Sequence, residues 1–394
     1  MGAVSNWWAI LAAFAVCVAG AVQVGRIAPV ATAIQVDAQF DLVTIGWLVS
    51  LITLASAAFG LIAGYWVVRI GLRTALVAGA CVMGLCATVA ALVPVAPVLL
   101  GARVLEGLGY LAVVVAAPTL IAREASGRDT PFALALFGTF FTLGLSLAAF
   151  GGGAMSEGVG WRGWFIASAA LVVAVGLAAA RVIPKDPPAN MDQPKAWDMI
   201  AQMRAAPWLL GAAFLGLTLL SLSILSLLPI FLVQNRDLAP SVAGGVTGSV
   251  AFASILGSLC YGAFAARLSE KIILAVAGAA LIIAVFLAFA ETAEVSRIVT
   301  FSAVAVFMSG ALVAQTFAAV PRVAGTAHLI GPTNGLVAQL GSVGALTGPP
   351  GIGVLIAYAG WGAVPFAVAG FTLSYAALLI LALRSEADAP RHEP

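Results

Sequence analysis

Charge is scarce in this sequence. Of 394 residues, 18 are Lys or Arg and 16 are Asp or Glu. That is 9% charged, against roughly a quarter in a soluble globular domain. So few charged groups cannot cover a water-facing surface, which excludes a soluble globular protein. No basic cluster is present to contact phosphates, so nucleic acid is excluded as a partner. Cysteine is sparse too. Cys17, Cys81, Cys86 and Cys260 all lie in apolar runs, with neither disulfide nor metal-ligand spacing. They read as small packing residues. There is no P-loop, no dinucleotide-binding glycine pattern, no nucleophile elbow and no metal spacing. No enzyme activity, cofactor or metal is therefore expected. An ATP-driven pump needs a soluble nucleotide domain, and no stretch is long enough for one.

Apolar residues fill the space that charge leaves. They make up 62% of the chain, in runs that recur from end to end. A bilayer core needs about 20 apolar residues per helix. Breaks at Pro, Gly and charge clusters give twelve such segments: 7–34, 43–67, 74–93, 97–122, 131–156, 162–183, 207–233, 240–265, 271–290, 297–322, 331–357 and 361–383. The start "MGAVSNWWAILAAF" lacks a basic segment and a small-residue cleavage site, and Asn6 stands where a myristoylation signal needs Ser or Thr. The first run is thus expected to remain as a membrane helix.

Loop charge sets the expected orientation. Thirteen Lys and Arg fall on one side, and only Arg162, Arg236 and Arg297 on the other. The richer side reads as cytoplasmic, with both termini inside. The longest loop, 184–206, is rich in Pro and charge in its first half, and its second half has the pattern of a short surface helix. It divides the chain into a six-helix bundle over 1–183, a cytoplasmic linker over 184–206, and a second bundle over 207–394.

The two halves repeat each other at an offset of about 200 residues. Trp8 falls on Trp208, Pro29 on Pro229 and Asp37 on Asp237. Gly144, Gly151, Gly153, Gly160 and Trp161 fall on Gly344, Gly351, Gly353, Gly360 and Trp361. With small gaps, "GYWVVRIGLR" (64–73) matches "GAFAARLSEK" (262–271), and Gly107…Pro118 matches Gly310…Pro321.

This layout and three motifs resemble the major facilitator superfamily. "GYWVVRIGLR" is similar to the family's signature between helices 2 and 3, with Gly64, Arg69, Gly71 and Arg73 as its gating-loop residues; Val68 replaces the usual Asp, which in the family helps latch the cytoplasmic gate. "RVLEGLG" (103–109) resembles the helix 4 signature that the family links to proton coupling. "GLSLAAFGGG" (144–153) is similar to the helix 5 motif of drug/proton antiporters through Gly144, Gly152 and Gly153, with Ala148 and Ala149 in place of Gly-Pro. Its counterpart, 344–353, keeps Gly348 and Pro349. At these glycines, and at Gly344, close helix packing is expected. At a finer level, the chain resembles the cyanate/nitroimidazole-transporter-like bacterial branch. The resemblance implies an all-α fold of two six-helix bundles and alternating access about a midplane site.

Only three charges lie well inside the spans: Arg26, Arg103 and Glu106. Each costs at least ~2.5 kcal/mol if unpaired at the bilayer centre, so each is expected to face the bundle interior. At ~1.5 Å rise per residue, Arg26 is ~15 Å and Glu106 ~14 Å from the outer face. Arg103, Glu106, Gly107 and Tyr110 share one face of helix 4 by spacing, and Gln23 and Arg26 one face of helix 1. Two readings follow. Glu106 neutralises an arginine and only ties helices together, or two arginines against one glutamate leave a positive site for a solute.

The expected function is secondary transport of a small anionic or polar solute in a bacterial inner membrane, by a multi-pass monomer coupled to protons through Glu106. The solute-binding candidates are Gln23, Arg26, Arg103 and Tyr110, with Ser226 and Gln315 in the second half, where Ser226 holds the position of Arg26. The alternatives are a proton-driven exporter of drugs or metabolites, and a membrane receptor or scaffold that has lost transport.

Overall fold

The structure, a computed structural model, describes residues 5–40, 42–186, 196–238, 240–265, 267–290 and 293–387. The middle of the linker, with Lys195, and the tail, with Arg391, lie outside the described residues. The described residues are helical without a strand, and twelve helices are long and apolar enough to cross a membrane. In chain order the spans are α1 (Trp7–Val30), α2 (Thr44–Ile70), α3 (Leu72–Leu92), α4 (Ala96–Glu124), α5 (Asp129–Met155) and α6 (Gly158–Val182). They continue as α7 (Ala205–Arg236), α8 (Val242–Phe264), α9 (Glu270–Ala288), α10 (Val295–Val323), α11 (Ala327–Ala359) and α12 (Trp361–Ser385). A short helix, Ala196–Gln202, occupies the later part of the 184–206 loop.

Local chemistry explains where these helices start and turn. The side chain of Asn6 accepts a hydrogen bond from the Ala9 backbone N–H at 3.3 Å and caps α1. Pro97 sits in the first turn of α4, where its missing N–H is harmless. Ser269 caps α9 by accepting from the Ile272 N–H at 3.3 Å. Gly160, a kink near the start of α6, and Gly360, between α11 and α12, take φ of +70° and +74°. Only glycine adopts that conformation without strain.

One expectation needs correction. The run over 7–34 predicts a single helix, but α1 is broken. An α-helix runs from Trp7 to Gly25, a 3-10 turn covers Ala28–Val30, and a further helix covers Ala31–Ala38. Pro29 explains the break, because it has no N–H to offer the Gly25 carbonyl and its ring crowds that oxygen.

The chain forms two compact units. One contains Met1–Ala133 and Phe140–Ala196; the other contains Leu134–Thr139 and Trp197–Pro394. Each repeats the same close approaches. In the first, a Cβ on Gly144 of α5 would collide with Ala21 and the Val18 carbonyl of α1, and one on Gly107 of α4 would come to 2.8 Å of the Ile52 carbonyl of α2. In the second, Gly344 and Gly348 of α11 seat against α7, and Gly310 of α10 against the Ser254 carbonyl of α8. Gly152 abuts the ring of Pro29. Pro349 lies within α11 next to Gly348. At Gly153 an added Cβ meets nothing within 4 Å, so it does not join the set that requires glycine.

These contacts make a paired prediction. A Cβ at Gly348 lies 2.5 Å from the Leu219 carbonyl, whereas one at Gly353 meets nothing within 4 Å. Gly348→Val is expected to cost about 1–3 kcal/mol by overpacking, and Gly353→Val to stay within about 0.5 kcal/mol. Unfolding of the two purified variants in detergent checks both.

Candidate functional site

The break in α1 leaves Arg26 at the end of the Trp7–Gly25 helix, where backbone carbonyls lack partners. Its Nη2 donates to Glu106 Oε1 on α4 at 2.5 Å. Arg103, one turn before Glu106, donates from Nη1 to Glu106 Oε2 at 2.7 Å. Both oxygens of the carboxylate are therefore taken by guanidiniums. Exposure of the three side chains is 0% for Arg26, 0% for Glu106 and 1% for Arg103.

Arg103 also repairs the backbone. Its Nε donates to the Leu48 carbonyl of α2 at 2.7 Å. Nη1 and Nη2 donate to the Gln23 and Val24 carbonyls of α1 at 2.9 and 3.4 Å. A planar fork of five donors suits this task better than a lysine ammonium. Cationic groups at a helix C-terminus are also favoured by the helix dipole.

Arg26 is held from the other side by α6. Its Nη1 donates to Gln23 Oε1, and Gln23 Nε2 donates to the Ser168 carbonyl at 2.8 Å. The guanidinium lies over the Phe165 ring, 4.4 Å from its centroid. Trp164 Nε1 donates to the Arg26 carbonyl at 3.0 Å. Arg26 Nε is buried without a hydrogen-bond partner. The cluster thus ties α1, α2, α4 and α6 together, and two guanidiniums on one carboxylate leave it with a net positive charge.

A sequence profile of the Major Facilitator Superfamily matches residues 9–329. The chain belongs to the Major Facilitator Superfamily. It is accordingly a membrane transporter by family and not an enzyme. Its fold is shared with solved members. The human organic anion transporter MFSD10 (TETRAN) superposes with a TM-score of 0.77 at 16% identity, covering 96% of this chain and 100% of that one. The superfamily transporter FucP, in the outward conformation, superposes with a TM-score of 0.73 at 15% identity, covering 96% and 99%. No curated protein matches the chain.

The loop between α2 and α3 also has a defined geometry. Gly71 turns the chain at φ +98°, Arg69 donates to the Tyr65 hydroxyl, and Arg73 donates to the Ala180 carbonyl. Gly64 lies buried within α2. Where Val68 replaces the usual Asp, another carboxylate reaches the loop. Asp186 accepts from the backbone N–H of Arg73 at 3.2 Å and of Thr74 at 3.1 Å, which caps α3. A Cβ at Gly71 would collide with that carboxylate.

The remaining sequence candidates do not meet the cluster. Tyr110 is buried beside Gly20 and is not hydrogen-bonded to it. Ser226 is exposed on α7 of the second unit. Gln315, on α10, is buried, and its Nε2 donates to the Glu270 carbonyl at 3.0 Å. Sequence reading missed Trp164, Phe165 and Ser168. The aromatic pair next to the conspicuous Gly160-Trp161 was the available signal.

Removing the shared anion is the decisive perturbation. Glu106→Ala leaves two buried guanidiniums without a counter-charge and is expected to cost about 3–5 kcal/mol. Glu106→Gln keeps an acceptor and is expected to cost less. Chemical unfolding of both variants in detergent measures the difference, and a Glu106→Ala protein of full stability would contradict the described network.

Proposed function

We propose that this protein is a secondary active transporter of a small anionic or polar solute, working by alternating access and coupled to protons. The reading is supported by the charge count of the buried cluster. One arginine is enough to neutralise Glu106. The second leaves an excess positive charge in an apolar surrounding, together with the unpartnered Arg26 Nε. Such a site attracts an anion. An anion that pairs with Arg26 takes the place of Glu106, whose carboxyl then binds a proton rather than stay charged and unpaired in the apolar site. Solute and proton would thereby move together. The cluster is enclosed in this conformation, so solute entry belongs to a different step of the cycle. We place the protein in a bacterial inner membrane as a multi-pass monomer with cytoplasmic termini, on the strength of its loop charges.

Complete burial of the cluster favours a second reading, a proton-driven exporter of drugs or metabolites. In that case the triad ties α1 to α4 and touches no solute. The organic anions named for MFSD10 do not decide between the two, since 16% identity carries the fold alone.

Proteoliposome uptake of a panel of small organic anions, with an imposed pH gradient, separates the readings. The expected result is gradient-driven uptake that falls at least tenfold in Arg26→Ala. In Glu106→Gln, counterflow is expected to persist while the response to the gradient is lost. Uptake independent of the gradient, with Glu106→Gln fully active, would remove proton coupling. Anion-induced thermal stabilisation that survives Arg26→Ala would favour the exporter. Absence of any counterflow would indicate a receptor or scaffold.

A further inference from the structure

The second unit carries a feature that the charge cluster does not explain. Spans α8 and α9 each pack against α10 and hardly touch each other. A groove of about 210 Å³ opens between them. Its floor is Phe307, Met308 and Ala311 of α10, and its walls include Phe264 of α8 and Ile272 and Val276 of α9. The wall residues stay exposed, Val276 at 59%. In a chain surrounded by lipid, such a slot presents apolar surface to acyl chains rather than to water.

One end of the groove has a distinct chemistry. Arg267, in the loop from α8 to α9, and Lys271, in the first turn of α9, are both exposed. Among the described residues neither is in an ion pair, whereas the neighbouring acid Glu270 is engaged by Arg322. The loop end is therefore positive. From Glu270 at the start of α9 to Ala277 on the groove wall is ~10 Å of helix. A lipid headgroup at the loop and the upper part of its acyl chain in the slot fit that distance. Basic groups beside a slot between membrane helices recognise anionic headgroups.

We propose that this groove is a binding site for an anionic phospholipid of the surrounding leaflet, with its acyl chain between α8 and α9 and its phosphate at Arg267 and Lys271. The site lies within the second unit and does not depend on the reading of the Arg26 cluster.

Native mass spectrometry of the full-length protein in detergent, titrated with phosphatidylglycerol or phosphatidylcholine of the same chain length, tests this directly. Phosphatidylglycerol is expected to be retained roughly tenfold more strongly. The exposed double variant Arg267→Gln/Lys271→Gln is expected to abolish that preference. Val276→Trp, at an exposed wall position, is expected to fill the slot and lose the adduct, and a thermal unfolding midpoint equal to wild type shows that each variant is folded. Equal retention of the two lipids overturns the proposal, as does a preference that survives both variants. A dimer signal that disappears in Val276→Trp would place a second copy of the chain in the groove and would likewise overturn it.

Discussion

The bond from Arg26 to Glu106 is the contact on which the first unit depends. It exists because Pro29 ends the Trp7–Gly25 helix inside the span. In hydrocarbon an unsatisfied backbone carbonyl costs several kcal/mol, so a broken helix must find donors within the protein. Arg103 supplies them for Gln23 and Val24, and the Trp164 indole supplies one for Arg26. Bringing Arg103 to that point requires a local anion, which is Glu106, on the same face of α4. The break, the two arginines and the glutamate are thus parts of one arrangement. Losing the anion leaves the others with a problem that no neighbour solves.

The second unit solves the same geometry without charge. Its glycines Gly310, Gly344 and Gly348 repeat the close approaches of the first. Between its spans, buried hydroxyls make neutral polar contacts. Ser221 and Ser309 share a hydrogen bond at 2.5 Å, and Tyr375 donates to the Leu312 carbonyl at 2.9 Å. Pro229 sits in α7 at the position of Pro29, yet α7 continues as one helix from Ala205 to Arg236. No arginine is needed where no break occurs, and Ser226 takes the place of Arg26. A duplicated scaffold has become chemically one-sided through one interrupted helix.

The scaffold was legible in the sequence because lipid imposes a simple rule: a span needs enough apolar residues, and charges collect in the loops. The repeat was legible because glycines and prolines keep their spacing when the rest drifts. Helix rise put Arg26 and Glu106 at similar levels, and the structure places the two in contact. The break in α1 was hidden because its apolar composition continues through Pro29. Trp164, Phe165 and Ser168 were hidden for another reason. A helix that is apolar on all sides does not declare which face meets which neighbour. The same ambiguity hides the bond from Gln315 to the start of α9. Asp186 lay at the edge of a Pro-rich linker, where nothing local marks it as the cap of a helix more than a hundred residues earlier.

The most direct measurement is a double-mutant cycle on Arg26 and Glu106. Unfolding free energies are needed for wild type, Arg26→Ala, Glu106→Ala and the double variant, in one detergent. The expected result is a coupling of about 2–3 kcal/mol, with the double variant more stable than Glu106→Ala alone, because it no longer buries the unpaired Arg26. Effects that add to within about 0.5 kcal/mol would contradict the central place given to this pair.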